Sequence, residues 1–393
     1  MKNVGIMAGL VAAVLIAGLI FSPFLMGKSQ ANQAFAQGTG KQKHITLIAS
    51  EKEVQVAPDN PLHPGGIKYN AMVWNDSIPG PVVSIDQGDN LTVTLINKGK
   101  LVHSMDFHAG YGTNKANSGP VEPGKNVTWS LQGEIPGFFF YHCSADQLNG
   151  IWEHIANGMY GGMLVHPVTE EKAKEFYVNY GEIYGDNIPA ILSGIKQNAS
   201  AKFDVTKFLK NENDLELTNG MAFKYVPAVG SIAKIPLNAN ASIFKVKPGE
   251  LTRWYIVNAG PNHFVAFHFI GTMFTVRDGS AGPGLGNRYG MVDKNDDTWT
   301  IPPGSASVLE ATFPQPGLYV GVSHALSDVL KGGAFAVLAV DNSTATDHPP
   351  GTWVPPKGSE AVSGPSTMKN NTAMMAAAPV GNQSQPSVNV TVK

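Results

Sequence analysis

The sequence predicts an all-β protein with two tandem domains, each a sandwich or barrel of antiparallel strands. Charged residues make up only 15% of the 393 residues, whereas glycine (43 residues) and proline (27 residues) are abundant. Between His44 and His166, short β-branched runs alternate with turns, and no stretch there shows a convincing 3.6-residue period. The chain after Val168 then repeats features of the first half. Short strands joined by many tight turns are typical of sandwiches and barrels.

Four runs in the first half predict strands. Each is rich in β-branched or aromatic residues and is bounded by turn residues, which is the usual signature of a strand. Turns are predicted at residues 86–89 (Asp-Gln-Gly-Asp) and 122–125 (Glu-Pro-Gly-Lys). The predicted strands cover residues 54–56, 69–74, 82–85 and 91–96.

The second half echoes the first, which indicates a duplicated β-domain. A Lys-Pro-Gly-Glu turn at 247–250 precedes a strand-like run, as the turn at 86–89 does in the first half. The five-residue spacing of His103 and His108 recurs in His263 and His268. Two proline-glycine turns of the first half, at 122–124 and 136–139, recur at 301–304 and 316–319. His324 then lies near the position that Cys143 holds in the first copy.

The two predicted domains, residues 37–168 and 169–341, lie between ends of different composition. In residues 1–36, Lys2 precedes an apolar run, and Ala34-Phe35-Ala36 forms a small-residue cleavage site. We expect a signal peptide that is cleaved after Ala36. Because about 20 apolar residues span a bilayer, an uncleaved membrane anchor is the alternative. The tail, residues 342–393, is rich in Pro, Ser, Asn, Ala and Met, and we expect it to be loosely ordered.

Glycosylation triplets and cysteine usage favour an exported, extracytoplasmic protein. Nine Asn-x-Ser/Thr triplets begin at Asn75, Asn90, Asn126, Asn198, Asn240, Asn342, Asn370, Asn382 and Asn389. Such triplets are acceptors in exported proteins, although a chain rich in these residues also produces them by chance. The single cysteine excludes an intrachain disulfide, and a free thiol in an exported protein indicates metal ligation. The formal net charge of −2 gives no sign of nucleic-acid binding.

Four residues form a ligand set for a blue copper ion. Cys143 directly follows a histidine, and His154 and Met159 come 11 and 16 residues later. His103 supplies a second imidazole from upstream. One thiolate, one thioether and two imidazoles favour copper and support one-electron transfer. The alternative is a buried cysteine near unrelated histidines.

Two further histidines, His108 and His142, predict a second metal site. Successive side chains of a strand point to opposite faces, so His142 must face away from Cys143. His108 likewise lies an odd number of residues from the upstream histidine of the blue copper set. Three imidazoles with an open fourth position make a catalytic site. The third ligand would be His324 or, as the weaker choice, His263.

Asp106 and His268 are candidate proton donors at this second site. Asp106 lies two residues from His108 and would share its strand face, beside the predicted catalytic metal. A carboxylate there would donate a proton to bound substrate. Alternatively, it would only orient an imidazole through a hydrogen bond. His268 is a second proton donor, a ligand or a surface histidine.

These motifs resemble those of the copper-containing nitrite reductases from about residue 45 to residue 340. The His-x-x-Asp-x-His signature and the order of the motifs carry the resemblance. The extended ends resemble the versions found in archaeal ammonia oxidisers, whereas the loop between Cys143 and His154 departs from the usual length. The matching segments are His103-Ser104-Met105-Asp106-Phe107-His108, Tyr141-His142-Cys143, Trp152-Glu153-His154, Gly158-Met159, His268-Phe269-Ile270-Gly271 and Ser323-His324-Ala325-Leu326.

The resemblance implies two cupredoxin-like Greek-key domains and a homotrimer with one type 1 and one type 2 copper per subunit. The implied reaction is reduction of nitrite to nitric oxide, fed by a small cupredoxin or cytochrome c through His142-Cys143. Asp106 and His268 would handle protons, and Ile270 would shape the substrate pocket. The implied type 1 ligands are His103, Cys143, His154 and Met159, and the type 2 ligands are His108 and His142 of one subunit with His324 of the next.

Two other functions compete with this interpretation. A multicopper oxidase needs several His-x-His pairs and a His-Cys-His triplet, but Cys143 is followed by Ser144 and no His-x-His occurs. A non-enzymatic blue-copper electron carrier would need only the first site. It would not require the residues of the second, namely Asp106, His108, His142, His268 and His324.

Overall fold

The computed structural model describes residues 40–59, 65–112, 116–145, 150–168, 170–188, 200–226, 241–277 and 293–340. The predicted signal or anchor segment and the predicted C-terminal tail lie outside these ranges, as does part of the loop after Cys143. Within the described ranges, none of the helices has the length and apolar character needed to cross a membrane.

The first half forms two facing sheets. Its strands are β1 (Gln42–Ala57), β2 (Ile67–Trp74), β3 (Val83–Asp86), β4 (Asn90–Asn97), β5 (Asp106–Phe107), β6 (Asn126–Gln132), β7 (Gly137–His142) and β8 (Tyr160–His166). One sheet has the order β2-β1-β4-β6 and gains at its edge a short strand from later in the chain, β10 (Ser200–Ala201). The other has the order β3-β8-β7-β5.

Strand β4 shows why the chain forms a sandwich. Leu91, Val93 and Leu95 are fully buried in the core between the sheets. The residues between them face outward, and Thr92 and Thr94 share hydrogen bonds with hydroxyls of β6. This alternation of apolar and polar side chains is expected of a strand with one buried face and one solvent-exposed face.

The second half repeats the architecture with two larger sheets. Its strands are β9 (Lys174–Ile183), β11 (Leu215–Thr218), β12 (Phe244–Val246), β13 (Thr252–Asn258), β14 (Val265–Ile270), β15 (Phe274–Val276), β16 (Asp293–Asp296), β17 (Thr298–Ile301), β18 (Ser305–Ala311), β19 (Gly317–Ser323) and β20 (Ala334–Ala339). The sheet orders are β11-β9-β13-β18-β15-β16 and β12-β20-β19-β14-β17. Stacked rings fill the core, with Trp254 packed 4.3 Å from Phe176 and 5.5 Å from Phe335 between ring centroids.

The two halves share a third core, and β7 lies between them. All six residues of β7 are buried. Phe139 and Tyr141 point into the first sandwich, whereas Phe138 and Phe140 join a cluster with residues of the second half such as Tyr255. A strand that is buried on both faces has apolar residues at every position, which explains the sequence Phe-Phe-Phe-Tyr.

The structure confirms the predicted fold class of two tandem cupredoxin-like β-domains, and the four predicted strands lie in β1 to β4. The parallel between the two halves is also visible, because β7 and β19 each begin at a glycine with φ near 150°. A short helix, α1 (Ile151–Ala156), lies where the sequence shows no helical period. Six residues make fewer than two turns, which is too short for a period to appear. Two more short helices are α2 (Val205–Lys210) and α3 (Leu326–Leu330).

Candidate metal centres

The position of β7 between two cores sends His142 and Cys143 to different places. Cys143 continues the row of Phe139 and Tyr141 and is fully buried in the first sandwich. His142 continues the row of Phe140, whose ring stacks on it with 5.1 Å between centroids. Two adjacent residues therefore belong to two separate sites, because strand side chains alternate.

The first site brings three predicted donor atoms to one point. The Sγ of Cys143 lies 3.3 Å from Nδ1 of His154 and 3.6 Å from Nδ1 of His103, and the two Nδ1 atoms are 3.1 Å apart. All three side chains are buried. Met159 is also fully buried, and its carbonyl oxygen accepts a hydrogen bond from the Cys143 backbone N–H. Helix α1 supplies His154, and the turn after it supplies Met159.

The donor set fits a soft metal ion such as copper. Burial raises the pKa of the Cys143 thiol to about 12 and lowers that of His154 to about 4, with the His103 charge acting in the same direction on His154. Without a cation, the buried thiol therefore keeps its proton, and His154 is neutral. Two backbone N–H groups, of Ser104 and Ala145, donate to the sulfur at 3.5 and 3.2 Å, and these bonds favour the thiolate. A thiolate with two neutral imidazoles is a soft-metal ligand set.

Glu51 extends the first site in a way that the sequence did not indicate. Its Oε1 lies 3.5 Å from Nε2 of His103, the ring nitrogen opposite the one that faces Cys143. The Lys100 backbone N–H holds the carboxylate in place with bonds of 3.0 Å. A carboxylate beside the outer nitrogen of a ligating histidine fixes the ring and raises its basicity. Glu51 lies on β1, far from the motif in sequence, so only the fold reveals it.

The second site brings His108 and His142 together. Their Nε2 atoms are 3.2 Å apart, and their rings are nearly perpendicular. The Nδ1–H of His142 donates to the Cys143 carbonyl oxygen at 3.0 Å, which leaves Nε2 as the free lone pair. Asp106 pairs with His142 in the register of β5 and β7, and its charge raises the pKa of His142 against the larger lowering effect of burial. The segment from 103 to 108 is only briefly a strand, at Asp106–Phe107, yet its two histidines still reach different sites.

The other predicted residues of the second site form a separate pair in the second half. His268 and His324 have ring centroids 4.9 Å apart. The Nδ1–H of His268 donates to the Asp297 carbonyl oxygen at 2.5 Å, and the backbone N–H of His324 donates to the carbonyl oxygen of Ala266. His324 is exposed, as is Ile270 at the end of β14. Within one chain, the predicted ligands His108 and His142 thus lie together, whereas the third predicted ligand, His324, lies with His268 in the second half.

His263, the weaker choice for the third ligand, belongs to a different group. Its Nδ1 lies 3.8 Å from Oε2 of Glu182. It therefore lies in a cluster with Glu182 and Glu216, which the sequence did not predict. Those two residues are 34 positions apart and become neighbours only through the pairing of β9 with β11.

Two family models for multicopper oxidases match the chain, one over residues 55–170 and one over residues 207–344. These ranges lie in the two β-domains and cover all the predicted copper ligands, whereas Glu51 lies just outside the first of them.

Individual relatives are copper-containing nitrite reductases. The chain is 28% identical to that of Neisseria gonorrhoeae over 285 residues, which is 71% of this chain and 65% of the relative's length. It is 27% identical to that of Rhizobium meliloti (strain 1021) over 354 residues, covering 85% and 86% of the two chains. Among solved structures, the copper nitrite reductase of Nitrosomonas europaea is 30% identical, with a TM-score of 0.63, covering 78% of this chain and 96% of that one.

Proposed function

This chain belongs to the family of copper-containing nitrite reductases, and we propose from this premise that it reduces nitrite to nitric oxide. The observation that carries the proposal is the divergence of His142 and Cys143, which join two candidate metal sites through one peptide bond. An electron carrier needs only the site at Cys143. A multicopper oxidase needs His-x-His pairs, which this sequence lacks.

His103, Cys143, His154 and Met159 would hold a type 1 copper. Copper in such a set supplies rapid one-electron transfer when bound. The protein residues bury the site, exclude water and stabilise the thiolate through the Ser104 and Ala145 amides. We infer that a small cupredoxin or cytochrome c delivers electrons here.

We infer that the type 2 site is completed between subunits of a homotrimer. His108 and His142 would come from one subunit and His324 from the next. The exposure of His324 supports this arrangement, and so does the exposed apolar side chain of Leu326, two residues further along the chain. Exposed apolar side chains beside a polar residue are common at association surfaces. In a cyclic oligomer, two different surfaces of the same chain meet at each interface.

The link between the two sites would carry the electron. The path runs from the Cys143 side chain through its backbone to His142. The hydrogen bond from His142 Nδ1 to the Cys143 carbonyl oxygen adds a second connection of 3.0 Å. This bond also fixes the imidazole tautomer that leaves Nε2 available as a ligand.

Asp106 and His268 would supply the two protons that convert nitrite and one electron to nitric oxide and water. Asp106 is half-buried beside His142, where it can hydrogen-bond an oxygen of bound nitrite and donate a proton. The ring of His268 is oriented by the Asp297 carbonyl oxygen, so Nε2 would be the nitrogen that exchanges the proton. Ile270, two residues further along β14, would limit the space for substrate. His268 would reach the His108–His142 pair only if a neighbouring subunit brings it there together with His324.

Electron paramagnetic resonance with copper quantitation, before and after nitrite, tests this proposal. We expect two spin-active coppers per chain, with the signal of one changed by nitrite, and nitric oxide release under a reducing donor. A type 1 signal alone would identify an electron carrier, and copper well above the spin count would identify an oxidase. The location also remains a proposal: we infer an extracytoplasmic enzyme, exported or held by its N-terminus.

A further inference from the structure

Two glutamates lie directly opposite each other in a buried strand pair. Glu182 on β9 is the register partner of Glu216 on β11, and the residues are only 1% and 2% exposed. Like charges at directly opposed positions repel, and burial in a low dielectric increases the cost. Such a pair needs a proton or a cation between its members.

His263 provides a third donor next to this pair. Its ligand atom and those of Glu182 and Glu216 all lie within 4.8 Å of one another. The backbone N–H groups of His263 and Asn262 donate to Oε1 of Glu182 at 2.6 and 3.1 Å, which fixes the carboxylate. The imidazole Nδ1 is buried and makes no hydrogen bond with any described residue. The loop that carries Asn262 and His263 is therefore held in place, while Nδ1 of His263 has no hydrogen-bond partner among the described residues.

An independent observation comes from Asp328 on α3. The residue is 2% exposed, and its Oδ2 accepts no hydrogen bond from the described residues. Burial raises the pKa of Asp328 and the His263 charge opposes that shift, while burial, Glu182 and then Asp328 raise the pKa of Glu216, so Asp328 lies near the cluster. Burial, with Glu216 and Asp328 acting in the same direction, raises the pKa of Tyr180, and its buried hydroxyl makes no hydrogen bond with the described residues either. Buried polar atoms in native proteins almost always have a partner, so a ligand between these groups would account for all of them.

The nearby lysine does not neutralise this cluster directly. Lys331 lowers the pKa of both Glu216 and Asp328, but its Nζ donates to the amide oxygen of Asn213. A second cluster of the same residue types, His166 with Glu170 and Glu175, shows the contrast. There the Arg253 guanidinium lies 2.9 and 3.1 Å from the two carboxylates and balances their charge.

We propose that Glu182, Glu216 and His263, with Asp328 nearby, bind a divalent cation that is separate from the copper centres. Two carboxylates and one imidazole suit Mn²⁺ or Zn²⁺ better than the soft ion of the Cys143 site. The site would tie together β9, β11 and the loop at His263, beside α3, which begins two residues after His324. Its role is to fix the segment that presents His324 at the surface.

Titration of the copper-loaded full-length protein with Mn²⁺ tests the site, with free Mn²⁺ followed by electron paramagnetic resonance. Mn²⁺ binds most weakly in the divalent series, so it leaves the copper in place. We expect one Mn²⁺ per chain and displacement of that ion by Zn²⁺. The isosteric substitution Glu216→Gln and the half-buried His263→Gln should each weaken binding by at least about tenfold, the scale of a lost supporting residue at a metal site.

The matched control is Glu53→Gln, which removes an exposed carboxylate of β1 that pairs with Lys68. Its Mn²⁺ affinity should equal that of the unmodified protein. The proposal is overturned if neither Mn²⁺ nor Zn²⁺ binds at millimolar concentration, in which case the glutamates share a proton. It is equally overturned if both Gln variants bind as the control does. Neither readout uses nitrite, so failure here leaves the reductase proposal untouched, and the reverse also holds.

Discussion

Copper-free protein should lose stability in mild acid because of His154. Burial lowers the pKa of this imidazole from its ordinary 6.5 to about 4, and the charge of His103 acts in the same direction while Glu51 opposes it. The unfolded chain therefore takes up a proton at a higher pH than the folded one. Stability from the neutral ring is complete above pH 6.5 and falls as the pH drops towards 4.

The size of the loss follows from the two pKa values. The pKa of His154 is near 6.5 in the unfolded chain and about 4 in the folded one. Proton linkage then lowers the free energy of unfolding by about 2 kcal/mol at pH 5 and by about 3 kcal/mol at pH 4. Such a loss is a large fraction of the free energy of unfolding of a typical domain. Bound copper would compete with the proton for Nδ1, so the effect belongs to the copper-free form.

The assay compares urea unfolding of the copper-free protein with that of His154→Gln at pH 7 and pH 5. Other groups titrate in both proteins, so the difference between their pH-dependent losses isolates His154. Trp74, whose ring centroid lies 6.4 Å from that of His103, gives tryptophan fluorescence a contribution from the first domain. Equal losses in the two proteins would refute the argument and would mean that the folded state protonates His154 without penalty.

Three further predictions concern the copper-loaded enzyme. Asp106→Asn should keep both coppers while nitrite turnover falls by on the order of a hundredfold or more, the range of a lost proton donor. Unchanged turnover, measured with a nitric oxide electrode, would remove Asp106 from the mechanism. Glu51→Gln should raise the type 1 reduction potential by roughly tens of millivolts, because a negative charge beside His103 stabilises the oxidised ion. If spectroelectrochemistry shows the same potential for Glu51→Gln and Glu53→Gln, this reasoning is wrong. His324→Ala should lose the type 2 signal and keep the type 1 absorption, and retention of both copper signals would exclude His324 as a ligand.

Much of the first candidate site could be predicted from the sequence because most of its residues lie close together in the chain. The alternation of strand side chains separates His142 from Cys143 once β7 is recognised, and the spacing to His154 and Met159 needs only a short turn. The helix that carries His154 escaped prediction because six residues cannot display a period. The predicted ligands did not depend on that helix, since the order of the donor residues in the chain is unaffected by it.

Contacts between residues that are far apart in the sequence could not be predicted in the same way. Glu51 approaches His103 from β1, 52 positions away, and nothing in its sequence surroundings marks it. His263 shares the five-residue spacing of the copper motif, yet the loop that carries it turns its imidazole towards Glu182. The repeat correctly indicated a duplicated domain, but it did not indicate that the second copy uses its histidines differently.

The sequence by itself determined the fold class, the donor types and the opposite orientations of His142 and Cys143, because these follow from residue chemistry and a two-residue period. The tertiary structure decided which distant groups meet: Glu51 with His103, Glu182 with Glu216, and His268 with His324. Strand register across long loops is set by the packing of whole sheets, and packing energy is summed over many residues rather than encoded in any one motif.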